Sequence, residues 1–164
     1  MRPAVTHEAT APLARPRLQL YTPDERRRRD ATRWTLVQGI LAPVQFLVFA
    51  VSLALVVRYL VTGDGLAAAN ASVVVKTLAL YTIMITGALW ERAVFGRYLF
   101  APAFYWEDVV SMAVIALHTA YLAALLADWL TPRERLLVAL AAYATYVVNA
   151  TQFVLKLRAA RRES

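Results

Sequence analysis

Cysteine is absent from the 164 residues, and histidine occurs only twice. Without thiols the chain can form no disulfide, thiolate metal site, iron–sulfur cluster or cysteine nucleophile. A transmembrane b-type haem needs paired axial histidines, and one of the two, His7, lies in the polar N-terminal segment. Glu-x-x-His pairs, nucleotide-binding glycine patterns and the Gly-x-Ser-x-Gly elbow are also missing. Dinuclear carboxylate, kinase, dehydrogenase and serine-hydrolase chemistry are therefore excluded.

Charged residues are scarce, at 18% of the chain, whereas hydrophobic residues make up 60% and the mean hydropathy is +0.49. An ordinary soluble domain is roughly 45–50% apolar, so this excess needs lipid to cover it. The net charge of +7 comes from basic residues concentrated at the two ends of the chain. Because these residues flank apolar segments, a membrane surface explains them better than nucleic acid does.

Four apolar segments are each long enough to cross a bilayer, near 34–61, 72–95, 104–130 and 133–157. About 20 residues suffice for a hydrocarbon core of roughly 30 Å, and only helices satisfy the backbone there at these lengths. We therefore predict an all-α integral membrane four-helix bundle.

The predicted membrane domain covers residues 22–158, between a mobile N-terminal arm (1–21) and a basic C-terminal tail (159–164). Thr22, Pro23 and Glu25 form the pattern of a capping box, which predicts a short interfacial helix before the first span. Thr131 and Pro132 give a similar start signal for the last span.

Lysine and arginine near the span ends predict the orientation. Fourteen of the 18 lie in the first 33 residues, in the 91–108 link or in the tail, and the other four are Arg58, Lys76, Arg133 and Arg135. Basic residues accumulate on the cytoplasmic side of membrane proteins. Both termini are therefore expected in the cytoplasm.

Polar side chains inside the spans are candidates for function, because an ionisable group at a helix centre costs at least a few kcal/mol. Steps of 100° per residue place Glu107, Ser111 and His118 on one stripe of the third span, with Asp108 a quarter turn away. His118 lies about 16 Å deeper than Glu107, near the midplane. The other candidates lie on the remaining spans: Gln38, Gln45, Glu91, Tyr146, Asn149 and Gln152. Because nearly all of these residues fall in the cytoplasmic half, we expect a cavity that opens toward the cytoplasm.

Each candidate also has a structural interpretation. Amides and hydroxyls often only join helices, at roughly 0.6 kcal/mol for each hydrogen bond. Glu91, Glu107 and Asp108 are also placed to pair with Arg92 or Arg97 at the interface. His118 is either a hydrogen-bonded core residue or a functional residue that ligates a metal or transfers a proton.

Three long segments of the chain are distinctive as strings: RWTLVQGILAPVQFLVF (33–49), KTLALYTIMITGALWERAVFGRYLFAPAFYWEDVVSMAVIALHTAYLAALL (76–126) and ALAAYATYVVNATQFVLKLRAAR (139–161). Within them, WE-x-x-VFG, FAPAF-x-WEDV-x-SM and ALHTAYLAALL are the most specific. These segments resemble the 3-vinyl bacteriochlorophyllide hydratase family of photosynthetic bacteria. The resemblance covers nearly everything from Tyr21 to Arg161.

The resemblance implies addition of water across the C-3 vinyl group of chlorophyllide a, which gives the 3-(1-hydroxyethyl) compound on the way to bacteriochlorophyll a. It implies a multi-pass protein of the bacterial inner (intracytoplasmic) membrane with its active site toward the cytoplasm. No cofactor is expected. The expected partners are the chlorophyllide, water and lipid, without nucleic acid, while self-association and contact with other pigment-biosynthesis enzymes both stay open.

The residue roles rest on the chemistry of the side chains rather than on the resemblance. Hydration needs a proton on the terminal vinyl carbon and water on the inner one, so we expect Glu107 to be the acid, with Glu91 or Asp108 as a neighbour that keeps it protonated. His118 either activates water or ligates the magnesium of the substrate, and the chain is expected to hold no metal of its own. A basic residue at the interface, such as Arg92, Arg97 or Lys156, is expected to pair with the propionate. The expected substrate-binding residues are Arg97, Gln38, Gln45, Ser111, Tyr146, Asn149 and Gln152.

Two other functions compete with this one. A non-catalytic chlorophyll-binding or assembly protein of a photosynthetic membrane complex would use His118 as its ligand, but such a scaffold needs few acids. An ion or proton carrier would need polar groups across the full depth of the bilayer, and the outer half is largely apolar.

Overall fold

A computed structural model describes residues 20–162, which form five helices. Their bounds are α1 Pro23–Ala31, α2 Arg33–Thr62, α3 Leu66–Phe95, α4 Tyr105–Ala127 and α5 Pro132–Arg162. Helices α2 to α5 are each long and apolar enough to cross a membrane. The predicted all-α fold with four candidate membrane spans is confirmed.

Both predicted helix starts are confirmed by hydrogen bonds. At α1, the Thr22 side chain accepts a hydrogen bond from the Glu25 N–H at 3.3 Å, and Glu25 Oε2 accepts one from the Thr22 N–H at 2.8 Å. At α5, Thr131 and Glu134 exchange the same pair of bonds. Each box satisfies N–H groups that have no partner inside the helix.

Three helix ends differ from the approximate edges of the predicted spans. Helix α3 begins at Leu66 rather than near 72, because the stretch 66–71 contains four alanines and favours helix. Helix α4 ends at Ala127 rather than near 130, because Asp128 adopts a left-handed conformation with φ 51° and closes the helix. Helix α5 continues to Arg162, so the described part of the predicted tail is helical.

The predicted N-terminal arm lies outside the described residues except for Leu20 and Tyr21. Tyr21 is buried and its ring stacks on that of Phe95, with centroids 5.9 Å apart, so the prediction of a mobile arm is wrong at this residue. Helix α1 docks on the end of α3 as well, because Arg28 Nε donates to the Val94 carbonyl at 2.7 Å. Aromatic packing therefore fixes the chain before the first span begins.

The four long helices form two hairpins. Helix α2 packs mainly on α3 and α4 packs mainly on α5, whereas contacts between the two pairs are fewer. We call α2–α3 the first hairpin, α4–α5 the second hairpin, and the contact between them the hairpin interface. The link end of the bundle carries α1, residues 96–104 and the last turns of α5, and the turn end carries residues 63–65 and 128–131. Large apolar side chains cover the outer surface, as lipid contact requires.

Candidate active site

Three acids are buried together at the link end. Glu91 comes from the last turns of α3, and Glu107 and Asp108 come from the first turn of α4. Asp108 Oδ2 accepts a hydrogen bond from the Phe100 N–H at 2.6 Å, and Glu91 Oε2 accepts one from the Ala101 N–H at 3.2 Å. The residue 96–104 link is thereby folded over the acids.

The buried carboxyl groups of Glu91 and Asp108 are close enough to interact with each other. Two ionised carboxylates at short range repel, and one proton shared between them replaces this repulsion with a hydrogen bond. This pair joins the two hairpins, since Glu91 belongs to the first and Asp108 to the second. The arrangement is suited to holding one proton at the link end.

Glu107 has a different partner from its neighbour Asp108. Its Oε2 atom lies 2.8 Å from Lys156 Nζ, and the same ammonium donates to the carbonyl of Ala103. An ammonium partner favours the ionised form of a carboxyl group. Glu107 is therefore the charged member of the cluster, and the predicted pairings with Arg92 or Arg97 are not among the ion pairs of the described residues.

A polar bridge continues from the acids toward the membrane centre. Asn149 Nδ2 donates to the Glu107 carbonyl at 2.9 Å, and Ser111 donates to Asn149 Oδ1 at 3.3 Å. Gln152 lies one turn from Asn149, and its buried Oε1 atom has no partner among the described residues. These side chains join α4 and α5 along the same side of the second hairpin.

His118 is fully buried near the middle of α4. Its Nδ1 atom lies 2.8 Å from the Val114 carbonyl, and since a carbonyl only accepts, Nδ1 carries the proton. The lone pair of a neutral imidazole is then on Nε2, which is buried and has no partner among residues 20–162. His118 therefore presents an unused ligand or base atom inside the bundle.

Lys76 is the functional candidate that the sequence analysis missed. It was counted among the basic residues outside the membrane, but the structure buries it completely, with Nζ 2.9 Å from Gln45 Oε1 and 3.8 Å from the centre of the Tyr146 ring. Its position along the helix indicates burial. Lys76 is the eleventh of the 30 residues of α3, which is too deep for a charge at the membrane interface. The cluster of Lys76, Gln45, Tyr146 and His118 draws on all four long helices.

Two predicted binding residues are placed elsewhere. Gln38 Nε2 donates to Thr86 Oγ1 at 2.8 Å and thereby joins α2 to α3 within the first hairpin, as the structural interpretation of such amides expects. Arg97 is exposed on the link. The structure therefore does not bring Gln38 or Arg97 to the buried polar groups of the hairpin interface.

The sequence analysis expected a cavity that is lined by the polar residues and opens toward the cytoplasm. Neither of the two grooves on the surface of the described residues matches it. One, of about 260 Å³, runs between α2 and α5 from Phe46 and Tyr146 to Arg158, and the other, of about 420 Å³, lies between α2 and α3. Neither is lined by the acids or by His118. Ser111 and Val114, which are 1% and 0% exposed, fill the stripe between Glu107 and His118. A large ligand can reach these groups only if the hairpins separate.

Comparison with known proteins gives consistent matches. A family model described as 2-vinyl bacteriochlorophyllide hydratase matches residues 21–159. A protein of that name from Cereibacter sphaeroides is 65% identical over 155 residues, which cover 94% of this chain and 95% of the relative. Another of the same name, from Rhodobacter capsulatus, is 64% identical over 148 residues, or 90% and 86% of the two chains. No solved structure matches.

Proposed function

Because the chain belongs to the 2-vinyl bacteriochlorophyllide hydratase family, we propose that it hydrates the vinyl group of chlorophyllide a to give the 3-(1-hydroxyethyl) product in bacteriochlorophyll a synthesis. In this proposal the 2-vinyl group of the relatives' name and the 3-vinyl group are the same substituent under two ring numberings. The relatives are named as hydratases, which supports the enzyme over a non-catalytic pigment scaffold. The link end faces the cytoplasm in this proposal, in a bacterial inner membrane, because most of the basic residues lie there.

The hairpin interface is the proposed reaction site. The acids at its link end and the Lys76–His118 region at its centre come from both hairpins, and contacts between the hairpins are fewer than within them. A flat pigment that separates the two hairpins would meet these polar groups without disrupting either hairpin. The reactive groups would at the same time be shielded from bulk water, which strengthens their electrostatic action.

The close approach of the buried Glu91 and Asp108 carboxyl groups is the observation that carries the mechanism. The member of the pair that holds the shared proton donates it to the terminal carbon of the vinyl group. The positive charge on the inner carbon is delocalised over the macrocycle, water adds there, and the proton that water loses returns to the carboxyl pair. This assigns the acid to the pair rather than to the ion-paired Glu107.

His118 acts at a different point of the substrate in this proposal. It lies 11 residues beyond Glu107 and ten beyond Asp108, or about 15–16 Å along the helix, so one vinyl group cannot touch both the imidazole and the acids. The magnesium lies at the centre of the macrocycle and the vinyl group at its edge, so ligation by His118 lets the imidazole and the acids act on different parts of one pigment. We therefore assign His118 Nε2 to the magnesium of the substrate rather than to water activation.

The proposal predicts that purified protein will hydrate chlorophyllide a without any added cofactor. Loss of vinyl conjugation should shift the absorption bands of the pigment to the blue, and the product should gain the mass of one water. Protein-free micelles are the baseline. If the pigment binds and stays chemically unchanged, the chain is a pigment-binding protein and the hydratase proposal fails.

A further inference from the structure

Lys76 is a buried basic side chain that has no anionic partner among the described residues. The ion pairs of residues 20–162 involve Arg27, Arg29, Arg135 and Lys156, but not Lys76. An ammonium group has three N–H donors, and the structure gives Lys76 Nζ one oxygen acceptor, on the neutral amide of Gln45, and the face of the Tyr146 ring. A charge removed from water is stable only when paired and fully hydrogen-bonded. The ammonium form of Lys76 therefore needs a negatively charged group that residues 20–162 do not supply.

A second unused donor lies beside Lys76. The Nε2 atom of Gln45 is buried and has no partner among the described residues, although Oε1 of the same amide accepts from Lys76. The first hairpin thus offers N–H groups from two adjacent side chains, whereas the second hairpin offers the lone pair of His118. Two donors suit the two oxygens of a carboxylate, and a lone pair suits a metal ion.

A surface groove lies next to this cluster, on the other side of the Tyr146 ring. The surface groove between α2 and α5 is lined by Phe46 and Tyr146, and the Tyr146 ring also contacts Lys76 Nζ. Tyr146 therefore separates the groove from the buried ammonium. Rotation of this one ring, together with separation of α2 from α5, would connect the two.

We propose that Lys76, assisted by Gln45 Nε2, binds the free propionate carboxylate of the pigment, which enters between the hairpins from the α2–α5 groove. This inference rests on the proposed function only in taking a chlorophyllide as the ligand. Lys76 then determines specificity for pigments with a free carboxylate over esterified ones. The neutral ester keeps an acceptor oxygen but supplies no charge to the buried ammonium.

Exposed basic residues are the alternative anchors for the propionate. Arg158 lines the outer end of the same groove and Arg97 lies on the link, and both are exposed. Ion pairs in contact with water contribute little, because solvent screens them and long side chains lose entropy. A desolvated pair with Lys76 discriminates far better between a charged and a neutral ligand.

The test compares the binding of chlorophyllide a and its methyl ester to three proteins in matched micelles, each made in the Asp108→Asn background so that bound pigment is not converted: otherwise unaltered, Lys76→Met and Arg158→Gln. The unaltered protein should bind the ester at least about tenfold more weakly than the free acid, as expected for loss of a buried charge pair. Lys76→Met should bind the two pigments equally, within about twofold, because the charge that distinguishes them is gone. Arg158→Gln should keep the ratio of the unaltered protein.

Lys76→Met also removes an uncompensated buried charge, so this variant is expected to fold, and far-ultraviolet circular dichroism checks its helix content. Lys76→Arg, which keeps the cation, should retain preference for the free acid. The proposal is overturned if Lys76→Met keeps the tenfold ratio or if the unaltered protein does not discriminate. Binding is measured in the Asp108→Asn background and hydration separately in the protein that keeps Asp108. Hydration with no Lys76 effect on binding would therefore overturn only this inference, and discrimination without hydration would overturn only the proposed function.

Discussion

Replacement of Asp108 by asparagine is expected to lower the rate of hydration by about 10²- to 10⁴-fold, the usual contribution of a general acid, while pigment binding stays close to normal. The amide oxygen can still accept the Phe100 N–H, so the link keeps its fold. What the variant loses is a carboxyl proton that can be transferred. Single-turnover absorption spectra with pigment bound beforehand separate the chemical step from binding.

Glu91→Gln should lower the rate of hydration by a similar factor, because the transferable proton belongs to the carboxyl pair. The glutamine oxygen can still accept from the Ala101 N–H, so the link keeps its fold. Glu107→Gln is the matched contrast, one residue away on the same helix. It loses the ion pair with Lys156, and we expect a much smaller change in rate. A fully active Asp108→Asn protein, together with an inactive Glu107→Gln protein, would return the role of acid to Glu107.

Replacement of His118 by alanine should weaken binding of chlorophyllide by roughly tenfold or more, which corresponds to about 1.4 kcal/mol or more. Binding of the magnesium-free pheophorbide should change far less, because it has no metal for the Nε2 lone pair to ligate. Fluorescence titration gives, for each pigment, the ratio of its dissociation constants for the His118→Ala and unaltered proteins. The cavity left by the missing imidazole affects both pigments alike. The difference between the two ratios therefore reports the contact with the metal.

Equal losses for the two pigments would contradict magnesium ligation. In that case His118 would act on water, and the acid would have to be sought among its neighbours at mid-depth rather than at the link end. Lys76, which lies close enough to act electrostatically on the imidazole, would then be the first residue to test.

The helices and their buried faces could be predicted from the sequence because both depend on local patterns. Thr22 and Glu25 define the start of α1 by a spacing of three residues, and Glu107 and His118 share a stripe by helical periodicity alone. Both acid and imidazole are buried, as that stripe requires. Burial of single residues therefore follows from periodicity along one helix.

The partners of these residues could not be predicted in the same way. The contacts of Glu91 with Asp108 and of Glu107 with Lys156 depend on how three helices meet, and a helical wheel gives the face of a residue but not its neighbour on another helix. Lys76 was misplaced because charge counting treats every basic residue in the outer half as interfacial. Its depth within α3 should have taken precedence over that count.

A structure of the Asp108→Asn protein with chlorophyllide bound tests the central claim most directly, since this variant should hold the substrate without converting it. We predict that the pigment will lie between the two hairpins, with its magnesium bonded to His118 Nε2 and its vinyl group directed toward Glu91 and residue 108. A pigment held on the outer surface of the bundle, with His118 still packed against the protein, would contradict it.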